Sequence, residues 1–385
     1  MARRQRRFAS LVLGLLLSAC SSASSVQDIR PGERPDLATD EAGLWMRMDR
    51  VEANLRNSGQ VIEDPALQAY VEGIVCRLAP DYCQDVRVYV VRTPGFNASM
   101  APNGMMVVWS GLLLRCENEA QLAHILAHEL AHYVERHSLK HWRDLRDTST
   151  GMAFFQLATA VIGLGVVGDL ATLGALGGVL SFSREYERQA DRIGMELVQR
   201  AGYSGAEATG VWDYLLREKE ATDAGSSFIF FATHPATEER RDALAAMARA
   251  QGDGGRVGQA DFLRLTARHR TAWLRDELQR RDYERLEVLM AHLLESGVDP
   301  GGVHFLRGEM YRQRDEEGDA AKAIAAYHSA LKTRKAPGET YRSLGLVLWS
   351  IERPKEAEAA FRQYLRHRPR ADDRAMVEDY INQLN

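Results

Sequence analysis

The sequence predicts a mainly α chain of the α+β kind: a helical domain holding a small β-sheet, followed by an α-helical repeat-like domain. Three observations predict it. Apolar residues recur at helical spacing through Leu67, Val71, Ile74 and Val75 and again through Leu122, Ile125, Leu126 and Leu130. Two short stretches, 86–91 and 105–109, alternate in a strand-like way. Beyond residue 256 nearly every segment reads as a short amphipathic helix. With 385 residues, 45% hydrophobic and 26% charged, there is room for two ordinary domains. A formal net charge of -4 gives no reason to expect a nucleic-acid partner.

Taken in order, residues 1–19 read as a signal peptide. Arg3, Arg4, Arg6 and Arg7 precede an apolar core at 8–17, which is far shorter than the ~20 residues needed to span a bilayer. Leu17-Ser18-Ala19-Cys20 resembles a bacterial lipobox, which implies an acylated Cys20, a Ser-rich tether over 20–39 and a lipid anchor that holds without spanning. Ser21 stands where Asp retains lipoproteins in the inner membrane, so the resemblance implies the periplasmic face of the outer membrane. Export to an oxidising compartment leaves Cys76, Cys83 and Cys116, with Cys76–Cys83 and Cys76–Cys116 both open as pairings.

A first domain is expected over 40–255. Residues 40–58 form a helix, and Asp64-Pro65 opens a second one ending at Leu78. The two strands follow, with Pro94, Gly95, Pro102, Asn103 and Gly104 as turn residues between them. Residues 119–137 read as one strong helix and 185–201 as another. Between them, 152–182 is apolar but broken by six glycines and by Asp169, so two short helices near the site are expected rather than a membrane hairpin. A Gly/Gln-rich stretch at 251–258 is the expected linker to a second domain over 256–385.

The chemistry is carried by His128-Glu129-Leu130-Ala131-His132. Residues i and i+4 of a helix share a face about one turn apart, so both imidazoles reach one zinc ion. Glu129 lies about 100° round the helix, beside the ion rather than on it, as suits a base. His124 stands one turn earlier but brackets no Glu with His128, and it reads as a packing or surface residue. A catalytic zinc site needs a third protein ligand and an open position. Ser183-Arg184-Glu185-Tyr186-Glu187-Arg188-Gln189-Ala190-Asp191 supplies it: Glu187 and Asp191 are again i and i+4, so one can ligate while the other supports a His ring from behind, with Glu185 a competitor for the ligand position.

These two motifs, with Asn97-Ala98-Ser99-Met100-Ala101-Pro102-Asn103-Gly104 upstream and Thr233-His234-Pro235 then Arg240 downstream, resemble the HtpX/BepA-type family of gluzincin peptidases, which includes the CAAX prenyl proteases. Departures are small: Ser99 and Met100 replace an aromatic and Ala, and Gln189 stands where Glu is common. The resemblance implies one zinc ion per chain on His128, His132 and Glu187, with Glu129 as base and Asp191 and Arg240 behind the ligands. It implies a substrate paired as a strand on the edge formed by Asn97, Ala98, Ser99 and Met100. The corresponding His of relatives gates the zinc, which leaves His234 as fourth ligand, oxyanion donor or turn residue.

In the second domain, Tyr341, Leu344, Gly345, Leu348, Ala357, Phe361 and Pro369 fall at tetratricopeptide-repeat spacing. Gly308, Tyr311, Ala323, Tyr327 and Ala330 form an earlier unit, and 260–296 a degenerate pair. Stacked helix pairs of this kind offer a concave protein-binding surface. The family resemblance implies a periplasmic zinc endopeptidase for envelope polypeptides, with outer-membrane proteins and their assembly machinery as partners. The alternative is an assembly chaperone with little or gated proteolysis.

Overall fold

The structure is a computed structural model and describes residues 30–145, 181–221, 230, 233–234, 238–252 and 254–384. The expected signal peptide, Cys20, the first part of the tether, nearly all of 152–182 and Pro235 lie outside the described residues.

Helix α1 (Asp40–Arg56) begins where Thr39 accepts a hydrogen bond from the Ala42 N–H, with Asp40 and Glu41 in its first turn. Helix α2 (Pro65–Leu78) is opened by Asp64, whose carboxylate accepts from the N–H groups of Ala66 and Leu67 while Pro65 occupies a position with no amide to satisfy. A disulfide joins Cys76 near the end of α2 to Cys83 in the following turn, with Cα atoms 4.6 Å apart. That settles the pairing left open by the sequence. Cys116 is buried and free, and burial pushes its thiol up to about 12.

The sheet has three strands in the order β1-β3-β2. Strand β1 (Arg87–Val91) runs parallel to β3 (Met105–Trp109), and β2 (Ala98–Met100) pairs antiparallel to β3 in the register Ala98↔Val108, Ser99↔Val107 and Met100↔Met106. Every residue of β3 is buried, as expected of a central strand covered on both faces. The turn into β3 needs Gly104: its φ is +89°, and a Cβ there would stand 2.2 Å from the Asp85 carbonyl oxygen.

Helix α3 (Ser110–Arg115) leads into α4 (Glu119–Val134), capped by Asn118, which accepts from the Gln121 N–H at 2.9 Å. The expected single helix over 119–137 is corrected here. Helix α4 ends at Val134, Arg136 takes the left-handed region (φ +57°) and pairs with Glu41, and α5 (His137–Leu145) starts in a new direction. After the undescribed stretch come α6 (Arg184–Arg200), α7 (Ala208–Glu220) and α8 (Glu238–Gln251). Helix α6 crosses α4 closely at Gly194, where a Cβ would lie 3.1 Å from the backbone nitrogen of His128.

The remaining helices are α9 (Gln259–Gln279), α10 (Tyr283–Glu295), α11 (Pro300–Arg314), α12 (Asp319–Leu331), α13 (Thr340–Ser350), α14 (Pro354–His367) and α15 (Arg374–Gln383). The expected linker is stitched to the first domain rather than left loose. Ser204 and Arg256 exchange backbone bonds with their neighbours, and the Arg256 guanidinium holds the buried Glu119 carboxylate with two 3.0 Å bonds. Helix α9 is anchored there too, by Asp276 on Arg92, Glu277 on Arg115 and His269 on Asp64. Further along, Gly308 on α11 meets the Tyr327 ring of α12, and Gly345 on α13 meets the Phe361 ring of α14. The chain is thus mainly α, with one small sheet beside the zinc-motif helix.

Candidate metal centre

The close crossing at Gly194 sets α6 beside the histidine-bearing face of α4 and so brings Glu187 and Asp191 to the two imidazoles. His128, His132, Glu187 and His234 are all buried, and their ligand atoms lie within 4.8 Å of one another. His128 Nε2 is 3.1 Å from His132 Nε2 and 3.2 Å from His234 Nδ1, and Glu187 Oε1 is 3.0 Å from His234 Nδ1 and 3.6 Å from His132 Nε2.

Those spacings test the fit of an ion. Ligands at about 2.0–2.1 Å from a tetrahedral centre are separated by about 3.4 Å, the edge of the tetrahedron. The observed separations bracket that value. Two unprotonated ring nitrogens facing one another offer each other no proton, so a shared cation is the group that satisfies both. Nitrogen and carboxylate donors in a closed four-atom set suit zinc.

The electrostatics agree. Burial works against charge on Glu187, yet His234 and His128 outweigh it and hold its carboxyl well below the usual range. Burial also opposes charge on His128, but Asp191 and Glu187 win and push it up to about 9. Burial drives His132 well below the usual imidazole range. The pocket therefore favours positive charge beside its carboxylates while keeping at least one ring neutral as a donor.

Behind the ligands, Asp191 Oδ1 lies 3.0 Å from His128 Nδ1, and Arg240 grips both Asp191 oxygens at 2.7 Å each. The Arg240 Nη1 atom also reaches Glu187 Oε2 at 2.6 Å. The Arg240 guanidinium carbon lies 4.9 Å from the centre of the Trp212 ring, a cation–π contact that helps hold the group in place. Glu185 is exposed and paired with Arg188, so it stands apart from the cluster. His124 Nε2 donates to the Ser204 carbonyl oxygen at 3.1 Å and takes no part in the cluster.

Glu129 sits beside the cluster, 2% exposed, its Oε1 without a hydrogen-bond partner and 3.5 Å from His234 Nε2. Burial raises its pKa, against the pull of His234 and His128. Its carboxylate also accepts the Met100 N–H. Asn97 O accepts from Trp109 and Ala101 N donates to Met105 on β3, so the alternate residues Ala98 and Met100 turn their backbone groups to the free edge. Strand β2 therefore presents its open edge beside the base, with Asn97 fully buried behind it.

Two neighbours were missed by sequence reasoning. His137 Nδ1 lies 2.9 Å from His132 Nδ1, and His137 Nε2 lies 3.1 Å from Gln189 Oε1. In a continuous helix, positions five apart point about 140° away from each other; only the left-handed Arg136 swings His137 back. Phe182 is the other, stacked 4.1 Å over the His132 ring.

Comparison with known proteins gives the same picture. Residues 61–248 match the model of peptidase family M48. The chain is 30% identical over 217 residues to the beta-barrel assembly-enhancing protease of Yersinia pestis, covering 51% of this chain and 44% of that one. Against the Escherichia coli protein of the same name it is 28% identical over 224 residues, covering 54% and 45%. Against mitochondrial metalloendopeptidase OMA1 of Schizosaccharomyces pombe it is 34% identical over 153 residues, covering 40% and 44%. The chain spans about half the length of the curated relatives it matches. The matched region contains the zinc-motif helix, the edge strand and every cluster residue, so residues 61–248 resemble a peptidase domain of the M48 kind.

Proposed function

We propose that this chain is a zinc-dependent endopeptidase that acts on envelope polypeptides, with outer-membrane proteins and their assembly machinery as its partners. Relatives named for β-barrel assembly support the substrate class. The single observation that carries the chemistry is the buried, unpartnered Oε1 of Glu129 beside four converging donors. An isolated buried carboxylate oxygen is costly, and it persists where a reacting group is to be received.

His128, His132 and Glu187 would hold a zinc ion, which when bound would supply Lewis-acid activation for the attack of water on the peptide carbonyl. Glu129 takes the proton from the attacking water and later returns it to the leaving amine. The outward backbone groups of Ala98 and the Met100 carbonyl hold the substrate extended along the β2 edge, with Asn97, Ser99 and Met100 shaping that rim. Asp191 and Arg240 fix the ring of His128 and the carboxylate of Glu187. The location follows the sequence: a lipid anchor on Cys20 at the periplasmic face of the outer membrane, a first domain over 40–255 doing the hydrolysis, and tetratricopeptide-like helices over 256–385 selecting the protein to be cut.

The position of His234 favours one second reading. With its Nδ1 within 3.2 Å of both His128 and Glu187 donors, it completes four protein ligands and would close the site at rest. A closed site fits a chaperone-like binding protein whose proteolysis is gated.

The test is bound zinc and cleavage of an unfolded protein, compared for the wild type, Glu129→Gln and His234→Ala. Equal zinc in wild type and Glu129→Gln, with cleavage only in the wild type, is expected. Equal zinc with no cleavage in any of the three would sink the peptidase reading. Faster cleavage by His234→Ala would favour the gate.

A further inference from the structure

We propose that His137 and Gln189 form a neutral positioning relay that fixes which nitrogen of His132 faces the metal. The inference rests on the zinc reading above. For His132 to offer Nε2 as a ligand, its proton must sit on Nδ1. That N–H is buried and needs an acceptor, and the atom 2.9 Å away is Nδ1 of His137. His137 can accept there only if its own proton is on Nε2, which lies 3.1 Å from the side-chain oxygen of Gln189. A carbonyl oxygen accepts and cannot donate, so Gln189 fixes the tautomer of His137, which in turn fixes that of His132.

The opposite arrangement defeats the site. With the Gln189 amide turned round, its NH2 would face His137 Nε2, the His137 proton would move to Nδ1, and the His132 proton would be driven onto Nε2 toward the ion. Only one setting of the three groups is compatible with ligation. The Tyr186 ring, stacked 4.4 Å from His137 at 18°, and the fully buried position of His137 hold the relay in plane.

The two histidine ligands are therefore served differently. His128 is backed by the anionic Asp191, itself neutralised by Arg240, whereas His132 is backed by a neutral ring and a neutral amide. The charges of a divalent ion and Arg240 are balanced by Glu129, Glu187 and Asp191, so a neutral relay leaves the buried site without net charge.

The experiment measures the zinc dissociation constant by chelator competition and the melting temperature of the metal-free protein. It compares wild type, Gln189→Leu, Gln189→Glu and His137→Phe. Gln189→Leu and His137→Phe remove the acceptor and should weaken zinc binding about 10–100-fold, whereas Gln189→Glu, which still accepts, should stay within about threefold of wild type. Zinc affinity unchanged in both acceptor-less variants overturns the relay, as does a lowered metal-free melting temperature with unchanged affinity, which marks packing alone. Gln189 is half-buried on α6, so its variant reads out even if His137→Phe does not fold. A wild type that holds no zinc brings down the zinc reading and the relay with it, an outcome distinct from variants that bind like the wild type.

Discussion

Glu277, on the first helix beyond the linker, bonds Arg115 at 2.6 Å, and the Arg115 side chain is closed to solvent altogether. Glu218 completes the arrangement with a two-bond fork on the same guanidinium at 2.7 and 2.9 Å, and Glu277 also accepts the Gly95 N–H at 2.6 Å. The contact joins α9 to the loop that leads into the β2 edge. The helices beyond residue 256 are thus fastened to the body of the metal domain.

Removing Glu277 leaves Arg115 its Glu218 fork but strips the buried Gly95 N–H and one guanidinium N–H of their acceptor, at a cost of about 1–3 kcal/mol. Glu277→Ala should therefore lower stability by that order in denaturant unfolding. Glu277→Gln, which still accepts from Gly95, should cost less. Equal stability of Glu277→Ala and the wild type would show that the helical region does not brace the first domain here.

Asp191 makes a second expectation. Its carboxylate lies 3.0 Å from His128 Nδ1 and is gripped by Arg240. Asp191→Ala removes the acceptor that keeps the His128 proton off the ligand nitrogen, and zinc affinity should fall about 10–100-fold. Chelator competition checks it. An affinity equal to the wild type would assign Asp191 to packing.

Much of this site was legible in the sequence, for a physical reason. His128, Glu129 and His132, like Glu187 and Asp191, lie within one helical segment, where periodicity alone sets which side chains share a face. The approach of α6 to α4 depends on a glycine whose role no periodicity reveals. His137 was hidden because one residue, Arg136, leaves the right-handed region, and a sequence pattern assumes the helix continues. The choice of Cys83 over Cys116 was closed to sequence because both separations permit a bond. Gly308 and Gly345 were legible as repeat positions, but their partners Tyr327 and Phe361 take meaning only from the packing.

The pH response should carry the signature of Asp64. Burial opposes its ionisation, but His269, the Leu67 N–H and Arg268 outweigh it and bring its pKa down to about 2. An unfolded Asp titrates near about 3.9, so the folded value is depressed. The stabilisation is then fully present above about pH 4 and is lost as pH falls toward about 2. Asp64→Asn keeps a capping oxygen for α2 but removes the titration, and it should flatten the loss of melting temperature between about pH 4 and 2 relative to wild type. Parallel pH curves for the two proteins would rule the pairing out as a source of acid sensitivity.

Gly345 gives a test confined to the far end of the chain. A Cβ at this position would stand 2.6 Å from the Phe361 ring, with further ring atoms at 2.7 and 3.0 Å, and Phe361 is itself wholly buried. The ring has no open side to retreat to, so Gly345→Ala must separate α13 from α14. Overpacking of this kind costs about 1–3 kcal/mol. Hydrogen exchange should therefore quicken in α13 and α14, while zinc affinity at His128, His132 and Glu187 stays at the wild-type value. If zinc affinity falls as well, strain at α13 reaches the metal through α11 and α9, and the two parts of the chain unfold as one cooperative unit.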